Sequence, residues 1–476
     1  MDETDLEDPP AAVRRAPWSG PALVAAGATL VALLAGLHHL DRVGFWYDEG
    51  QTVGTVDRPV GDALWRIVHW EVNQSPFHLL ATVWIRLGDS EAFLRLLALG
   101  FWVGTVPLLY VLGRRLVDER VGALAAVLYA VHGFGLEWGQ QFRGYTMAAF
   151  LTTLATLALA RLLESPTTRR GVVYGAVAAL AAYAHFFALL VLGAHAVTAL
   201  VAGHRMPRRP FVVAGGVGGV LLAPLGWFLL TAENDPISWV EEGSRSQVLE
   251  VATDLAGGTT LALVACGIAG LLGLLALRRA VATRGWTGSW PILLIALWVV
   301  MPLAIAVIAT ATVKPLLVAR FLLVIVPGLA LLAAVGVADL AVRAHRTAAG
   351  IVLAGLLLAS AVGVVGTWDR PTFEDWRGAV DHIVDGSRPG DVVVPVPGRA
   401  SHPLRYYLER SDAEEVVIVS PDDAGTIEAD GVWIVSRGGP EASPVGRELV
   451  AVGLEGLELT DEVRFPNLLV QRFERS

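Results

Sequence analysis

Charge is scarce in this chain. Asp, Glu, Lys and Arg make up 17% of its 476 residues, against about 25% in ordinary soluble domains. Hydrophobic residues make up 54% and come in long runs. That balance excludes a soluble globular protein and describes one built into a membrane. Cysteine is nearly absent too. The single one, Cys266, lies inside an apolar run, which excludes a disulfide framework and leaves a thiol redox role without support. Lysine is as rare, with Lys314 alone among 36 basic residues. The arginines are dispersed and the formal charge is −9, so nucleic acid is not an expected partner. The bias toward Arg, Ala, Val and Gly matches a GC-rich bacterial genome. The first ten residues, MDETDLEDPP, are acidic where a secretory signal would be basic. The first apolar run is therefore expected to stay as a membrane helix.

Apolar runs lie at 21–40, 92–112, 121–136, 145–163, 172–202, 211–230, 256–277, 290–311, 317–340 and 348–367. Arginines cluster in alternate connections: Arg114, Arg115 and Arg120; Arg161, Arg169 and Arg170; Arg205, Arg208 and Arg209; Arg278, Arg279 and Arg284; Arg343 and Arg346. By the positive-inside rule those connections are cytoplasmic. Both ends of 172–202 then fall on one side. As one helix it would span about 46 Å, against a bilayer core of about 30 Å. A hairpin turning near His185 is expected instead.

The pattern predicts an α-helical multi-pass plasma-membrane protein with about eleven spans. Residues 1–20 form a cytoplasmic tail, 21–368 the membrane domain with a first outer loop at 41–91, and 369–476 a domain outside. The stretch Ser75–Leu87 is too short to cross and is expected as a helix on the membrane surface. Beyond Pro371 the composition turns polar. "DVVVPVP", "EEVVIVS" and "GVWIVSR" predict strands, with helices beginning near Phe373 and over His402–Arg410. Strands alternating with helices predict a small α/β domain. It carries no GxGxxG or P-loop pattern.

The outer loops hold the unusual residues. "FWYDEGQTVG" places Asp48 and Glu49 where lipid headgroups meet water. A juxtamembrane acid is commonly just solvated, but these two are embedded in aromatics. A second acidic stretch, "HWEVNQSP", follows in the same loop. Arg143, Lys314 and Arg320 sit at outer ends of spans, where positive charge is disfavoured. A polyprenyl-phosphate sugar accounts for this assembly. Its tail stays in lipid, its phosphate needs cations at the interface, and its sugar needs a base just outside. A carboxylate could take the proton from an acceptor hydroxyl as that oxygen attacks the anomeric carbon. Lys or Arg would stabilise the charge gained by the leaving phosphate.

"WYDEG", "WEVNQSPFHLLATVWIRLGDSEAFLRLLAL" and "VPLLYVLGRRLVDERVGALAAVLYAVHGFGLEWGQQFRGYTM" resemble the multi-span GT-C glycosyltransferases. These include the protein O-mannosyltransferases, the lipid A aminoarabinose transferase and bacterial mannosyltransferase-like relatives. The likeness covers Phe45 to about Leu163 and resumes at "ARFLLVIVPGLALLAAVG" and "EDWRGAVDHI". It implies that Asp48 is the first-loop catalytic acid with Glu49 beside it, and that the Glu-x-Asn pattern of some relatives falls on Glu71 and Asn73. The relatives' "YSQEAR-x-Y" segment matches "WGQQFRGY". Gln140, Arg143 and Tyr145 agree, while Gln141 stands where many relatives have Glu. The "HPP" of many relatives is "QSP" here, Gln74 to Pro76.

Two function classes compete from sequence, and a third reading, a catalytically dead relative with a binding or scaffold role, is suggested by Gln141 and opposed by the intact "DEG". The first is an inverting glycosyltransferase moving a mannose-like sugar or a pentose from a polyprenyl-phosphate donor to a glycan, protein or lipid acceptor. The second is a multi-pass transporter or flippase of a lipid-linked sugar. Transporters place ionisable groups near the bilayer midplane, often between inverted repeats. Here charge gathers at one rim and no repeat is visible. No cofactor is required by the pattern. Asp48 and Glu49 could hold a divalent cation, but no further ligands stand at metal-binding spacing.

Overall fold

The computed structural model describes residues 20–203, 206–231, 245–313, 316–343, 345–411, 416–426, 429–438, 454 and 456–475. The chain enters the bundle through α1 (Gly20–Leu37). Three short helices follow, α2 (Tyr47–Val56), α3 (Val60–His69) and α4 (Ser75–Trp84). Next come α5 (Glu91–Leu116), α6 (Glu119–Ala130), α7 (Gly133–Gly139), α8 (Tyr145–Glu164), α9 (Thr168–Ala184), α10 (Ala188–Gly203) and α11 (Arg208–Thr231). Then α12 (Arg245–Ala256), α13 (Thr260–Gly288) and α14 (Trp290–Thr312) lead to a 3₁₀ turn over Ala319–Ile325. That turn runs into α15 (Val326–Val342), and α16 (Arg346–Trp368) completes the bundle.

Among the described residues eight helices are long and apolar enough to cross a membrane, or nine if α6 and α7, bent by 64°, form one span. Helices α9 and α10 form the expected hairpin at His185, but at 17 and 16 residues they are shorter than the rest. The count of eleven is therefore not reached on length and composition alone. Apolar side chains cover outward faces, as Val212, Val220, Trp227 and Leu230 do on α11. In water such a surface would be a liability; in a bilayer it meets lipid.

Small residues let the backbones approach, as membrane helices require. A Cβ on Gly113 of α5 would lie 2.6 Å from Cα of Gly122 of α6, and one on Gly175 of α9 would lie 2.5 Å from the carbonyl of Ala214 of α11. Helix ends are closed locally. Asp118 accepts from the backbone N–H groups of Arg120 and Val121 at 2.9 and 2.8 Å, capping α6.

The C-terminal domain holds α17 (Trp376–Gly386), β1 (Val392–Val396), α18 (Ser401–Leu408), β2 (Val417–Ile418), β3 (Gly431–Arg437), β4 (Leu457–Phe465) and β5 (Leu468–Arg475). Its sheet runs β2-β1-β3-β5-β4, with β1 parallel to β2 and β3, and β5 antiparallel to β3 and β4. Alternation sends Val394, Val396, Val432 and Ile434 to one small core. Val393, Trp433 and Val435 face the other way, into the cluster that continues through α17 and α18 to the membrane helices. The domain is thus seated on the bundle.

Three elements depart from expectation. The first loop is largely helical, since α2 and α3 accompany the expected surface helix α4. "EEVVIVS" contributes only a two-residue strand. The hairpin of β4 and β5 was not expected from residues 457–475, where charged side chains interrupt the apolar ones.

Candidate active site

The sequence of α2, YDEGQTVGTV, has little reason to be helical: it carries two glycines and four β-branched residues. Its partner makes it so. A Cβ on Gly50 would lie 2.7 Å from Pro403, and one on Gly54 would lie 2.3 Å from Nδ1 of His402, so the glycine face of α2 lies directly on α18. The start of the helix is held by the same domain. The N–H of Phe45 donates to the Tyr407 hydroxyl at 2.6 Å, and that of Tyr47 to Oε2 of Glu374 at 2.6 Å. Arg437 then holds Glu374 by Nε–Oε1 at 2.6 Å and lies 4.1 Å from the Tyr47 ring centroid.

Asp48 and Glu49 share the first turn of α2, where the free N–H groups favour negative charge. Adjacent helical positions diverge by about 100°, and the two acids part accordingly. Glu49 points inward and is fully buried. Arg95 of α5 grips it through Nε–Oε1 and Nη2–Oε2, both at 2.8 Å, and the N–H of Phe142 donates to Oε1 at 2.7 Å. The remaining donors of Arg95 go to the carbonyls of Leu40, Val43 and Gly44 at 2.8, 2.8 and 3.1 Å. All five guanidinium N–H groups are used. Glu49 is thereby buried and fully engaged, whereas its neighbour Asp48 is not.

Asp48 is half-buried, and among the described residues its carboxylate accepts no hydrogen bond. Its backbone carbonyl accepts from Arg143 Nη1 at 3.1 Å, and the same nitrogen donates to the Thr52 hydroxyl at 2.8 Å. Arg143 Nε is buried without a partner among the described residues. Glu71, between α3 and α4, shares this space. Burial pushes its carboxyl above the usual carboxylate range and the charge of Asp48 adds to the effect, while Arg143, Arg399 and Arg66 oppose it. Asp48, Glu71 and Arg143 therefore converge.

The other expected contacts divide. Asn73 Oδ1 accepts from the N–H of Phe186 at 3.2 Å, tying the first loop to the α9–α10 turn. Gln140 donates through Nε2 to the carbonyls of Gly36 and His38 at 3.0 and 2.8 Å, closing the end of α1. Both contacts join separate segments of the chain. Gln141 is buried with Oε1 unpartnered among the described residues. Tyr145 is buried in an aromatic cluster, its ring 4.8 Å from Trp138 and 5.5 Å from His185. Arg320 enters that cluster, with Cζ 5.8 Å from Trp46, 5.9 Å from Trp138 and 5.5 Å from Phe321. Trp46 caps α2, so Arg320 reaches the helix that carries Asp48. Lys314 lies outside the described residues.

Arg95, Glu374 and Tyr407 were not anticipated. Arg95 left a signal as a lone charge within an apolar stretch, and Glu374 as the first residue of "EDWRGAVDHI"; Tyr407 left none. Among the described residues no three His, Cys, Asp or Glu side chains are grouped to hold a metal ion. A cavity of about 630 Å³ lies elsewhere, between α8 and α9, and contains none of these groups.

A family model described as dolichyl-phosphate-mannose-protein mannosyltransferase matches residues 76–227. That segment runs from α4 to α11 and leaves Asp48 and Glu71 outside. No curated protein matches the sequence. Among solved structures, apo ArnT from Cupriavidus metallidurans is similar, with a TM-score of 0.59 and 14% identity over 94% of this chain and 97% of that one. The same protein bound to undecaprenyl phosphate gives 0.58 at 14% identity over the same shares. Archaeal oligosaccharyltransferase AglB from Archaeoglobus fulgidus, with an inhibitory peptide and a dolichol-phosphate, gives 0.55 at 12% identity over 95% and 74%. The bundle with its seated C-terminal domain thus shares the fold of ArnT and AglB, and residues 76–227 match the mannosyltransferase family model.

Proposed function

We propose that this protein transfers a sugar, with inversion, from a polyprenyl-phosphate donor to an acceptor hydroxyl. The observation that carries this reading is the parting of the two acids. Glu49 is consumed by Arg95, while Asp48, on the helix it anchors, keeps a carboxylate that accepts no hydrogen bond among the described residues, beside Glu71 and Arg143. The acceptor oxygen attacks the anomeric carbon as the bond from that carbon to the phosphate oxygen breaks, and Asp48 takes the acceptor proton. Arg320, Arg143 and Lys314 would stabilise the charge on the departing lipid phosphate. The similarity to ArnT bound to undecaprenyl phosphate and AglB bound to dolichol-phosphate supports a lipid-phosphate donor. The sugar is mannose-like or a pentose, and the acceptor a glycan, protein or lipid.

The arginine-rich connections lie at the opposite end from Asp48, so the positive-inside rule favours placing the site on the outer face of a bacterial plasma membrane. With α9 and α10 counted as a traversing hairpin, eleven spans put the N-terminus inside and the C-terminal domain outside. Replacing Cys266 by Ala and introducing single cysteines at Asp62, Glu409 and Thr168, all exposed, checks this. An impermeant thiol reagent applied outside should label the first two and spare the third; the reverse pattern would invert the topology.

The chemistry is tested with purified protein in liposomes given polyprenyl-phosphate mannose or arabinose. Wild type should release polyprenyl phosphate while glycosylating an acceptor, and Asp48→Asn should not. Undiminished turnover by Asp48→Asn would overturn the assignment.

A further inference from the structure

At the opposite end from Asp48, α8 and α9 part beside the turn that joins them. The gap is the cavity of about 630 Å³ noted above. Leu154 and Leu157 of α8 and Val173 and Val177 of α9 give it apolar walls. Arg115, Arg161, Arg169 and Arg170 stand at it, and an adjoining cavity of about 330 Å³ shares Arg115 and Arg161.

The charges do not balance. Glu164 pairs with Arg115. Arg170 donates through Nη1 to the carbonyls of Arg161 and Ser165 at 2.7 and 2.9 Å, which fixes its guanidinium without neutralising it. Arg161 and Arg169 form no ion pair among the described residues. With Arg114 and Glu119 of the adjoining cavity counted, five cations meet two anions, and the excess repels, the more so near a medium of low dielectric constant. The apolar walls set a second requirement, because side chains facing a gap lose their dispersion contacts. The positive-inside bias accounts for arginines in this connection but not for an apolar gap beneath them. A free anion would answer only the charges, and a neutral chain only the walls.

We infer that this groove binds an anionic phospholipid, its phosphate on Arg161 and Arg169 and one acyl chain between α8 and α9. The planar arginine fork suits phosphate oxygens, which it can meet with two parallel hydrogen bonds. The site is separate from the transfer chemistry, so it should bind lipid whether or not Asp48 is intact.

The test uses the full chain, stripped of lipid in detergent and then offered phosphatidylglycerol or phosphatidylcholine, with bound lipid counted by native mass spectrometry. Wild type should retain one phosphatidylglycerol in clear preference to phosphatidylcholine. Arg161→Gln with Arg169→Gln should weaken that retention at least about tenfold, since each basic residue near an anionic lipid contributes about a fivefold factor. Val173→Trp, at an exposed wall position where the fold is not at risk, should block the chain and also abolish retention with the arginines intact. Asp48→Asn should bind as wild type does. Equal retention of the two lipids would overturn the anionic assignment. Undiminished retention in the double variant would overturn the arginine site, and in Val173→Trp it would overturn the acyl-chain position.

Discussion

Two neighbouring regions of the molecule, one around Glu49 and one around Asp48, treat their polar groups in opposite ways. Around Glu49 all five N–H groups of Arg95 are matched. Around Asp48 the matching stops: Arg143 Nε and Gln141 Oε1 are buried without partners among the described residues. A buried polar group left unpaired costs about 1–3 kcal/mol, so a chain that satisfies one region and not its neighbour leaves the second for something else to complete. The first region holds the fold in register, and the second is where a ligand gains most.

The largest expected break in this comparison is in turnover. Asp48→Asn should lower it about 10²–10⁴-fold, the range for a positioned general base, while melting temperature stays near wild type. Next come the cations. Arg320→Gln and Lys314→Gln should each lower turnover about 10²–10³-fold, measured per folded molecule, if they stabilise the departing phosphate. Wild-type kinetics in both would leave Arg143 as the residue to test. Glu49→Gln should show the opposite signature. It leaves Arg95 charged and buried, so about 3–5 kcal/mol of stability is lost, seen as a fall in melting temperature and folded yield. Molecules that do fold should keep turnover within a few-fold, and replacing both Glu49 and Arg95 by Met should recover part of the loss.

The smallest effect sharpens the comparison through pH. Glu71 has its carboxyl raised by burial, so the folded state holds its proton more tightly than the unfolded chain does. Stability then falls as pH rises from the ordinary carboxylate range through the raised value. Glu71→Gln removes that dependence. Its melting temperature should exceed that of wild type above the raised value, with the gap closing in acid; a pH-independent difference would contradict the assigned cause.

The membrane helices were legible because bilayer thickness imposes long apolar runs and the arginines mark their ends. Even the hairpin at His185 followed from counting sides. The first loop was not legible in the same way. Nothing in YDEGQTVGTV favours a helix until Pro403 and His402 lie against Gly50 and Gly54, and that contact is tertiary. For the same reason adjacency in sequence made Asp48 and Glu49 look like a pair, whereas helical geometry sends them to different environments. Asn73 and Gln140 matched a family pattern yet tie segments of the scaffold together, because a pattern marks a position without saying which neighbour it faces.

The seating of α2 on the C-terminal domain has a consequence for biosynthesis. Phe45 and its anchor Tyr407 are 362 positions apart, and Tyr47 waits for Glu374. During synthesis the segment bearing Asp48 leaves the ribosome early, long before the surface that shapes it exists. A nascent chain can insert helix after helix and still have no ordered acid to present. Order at the helix bearing Asp48 waits until Glu374 and Tyr407 have been made, so a product terminated before them would occupy the membrane with that helix unanchored.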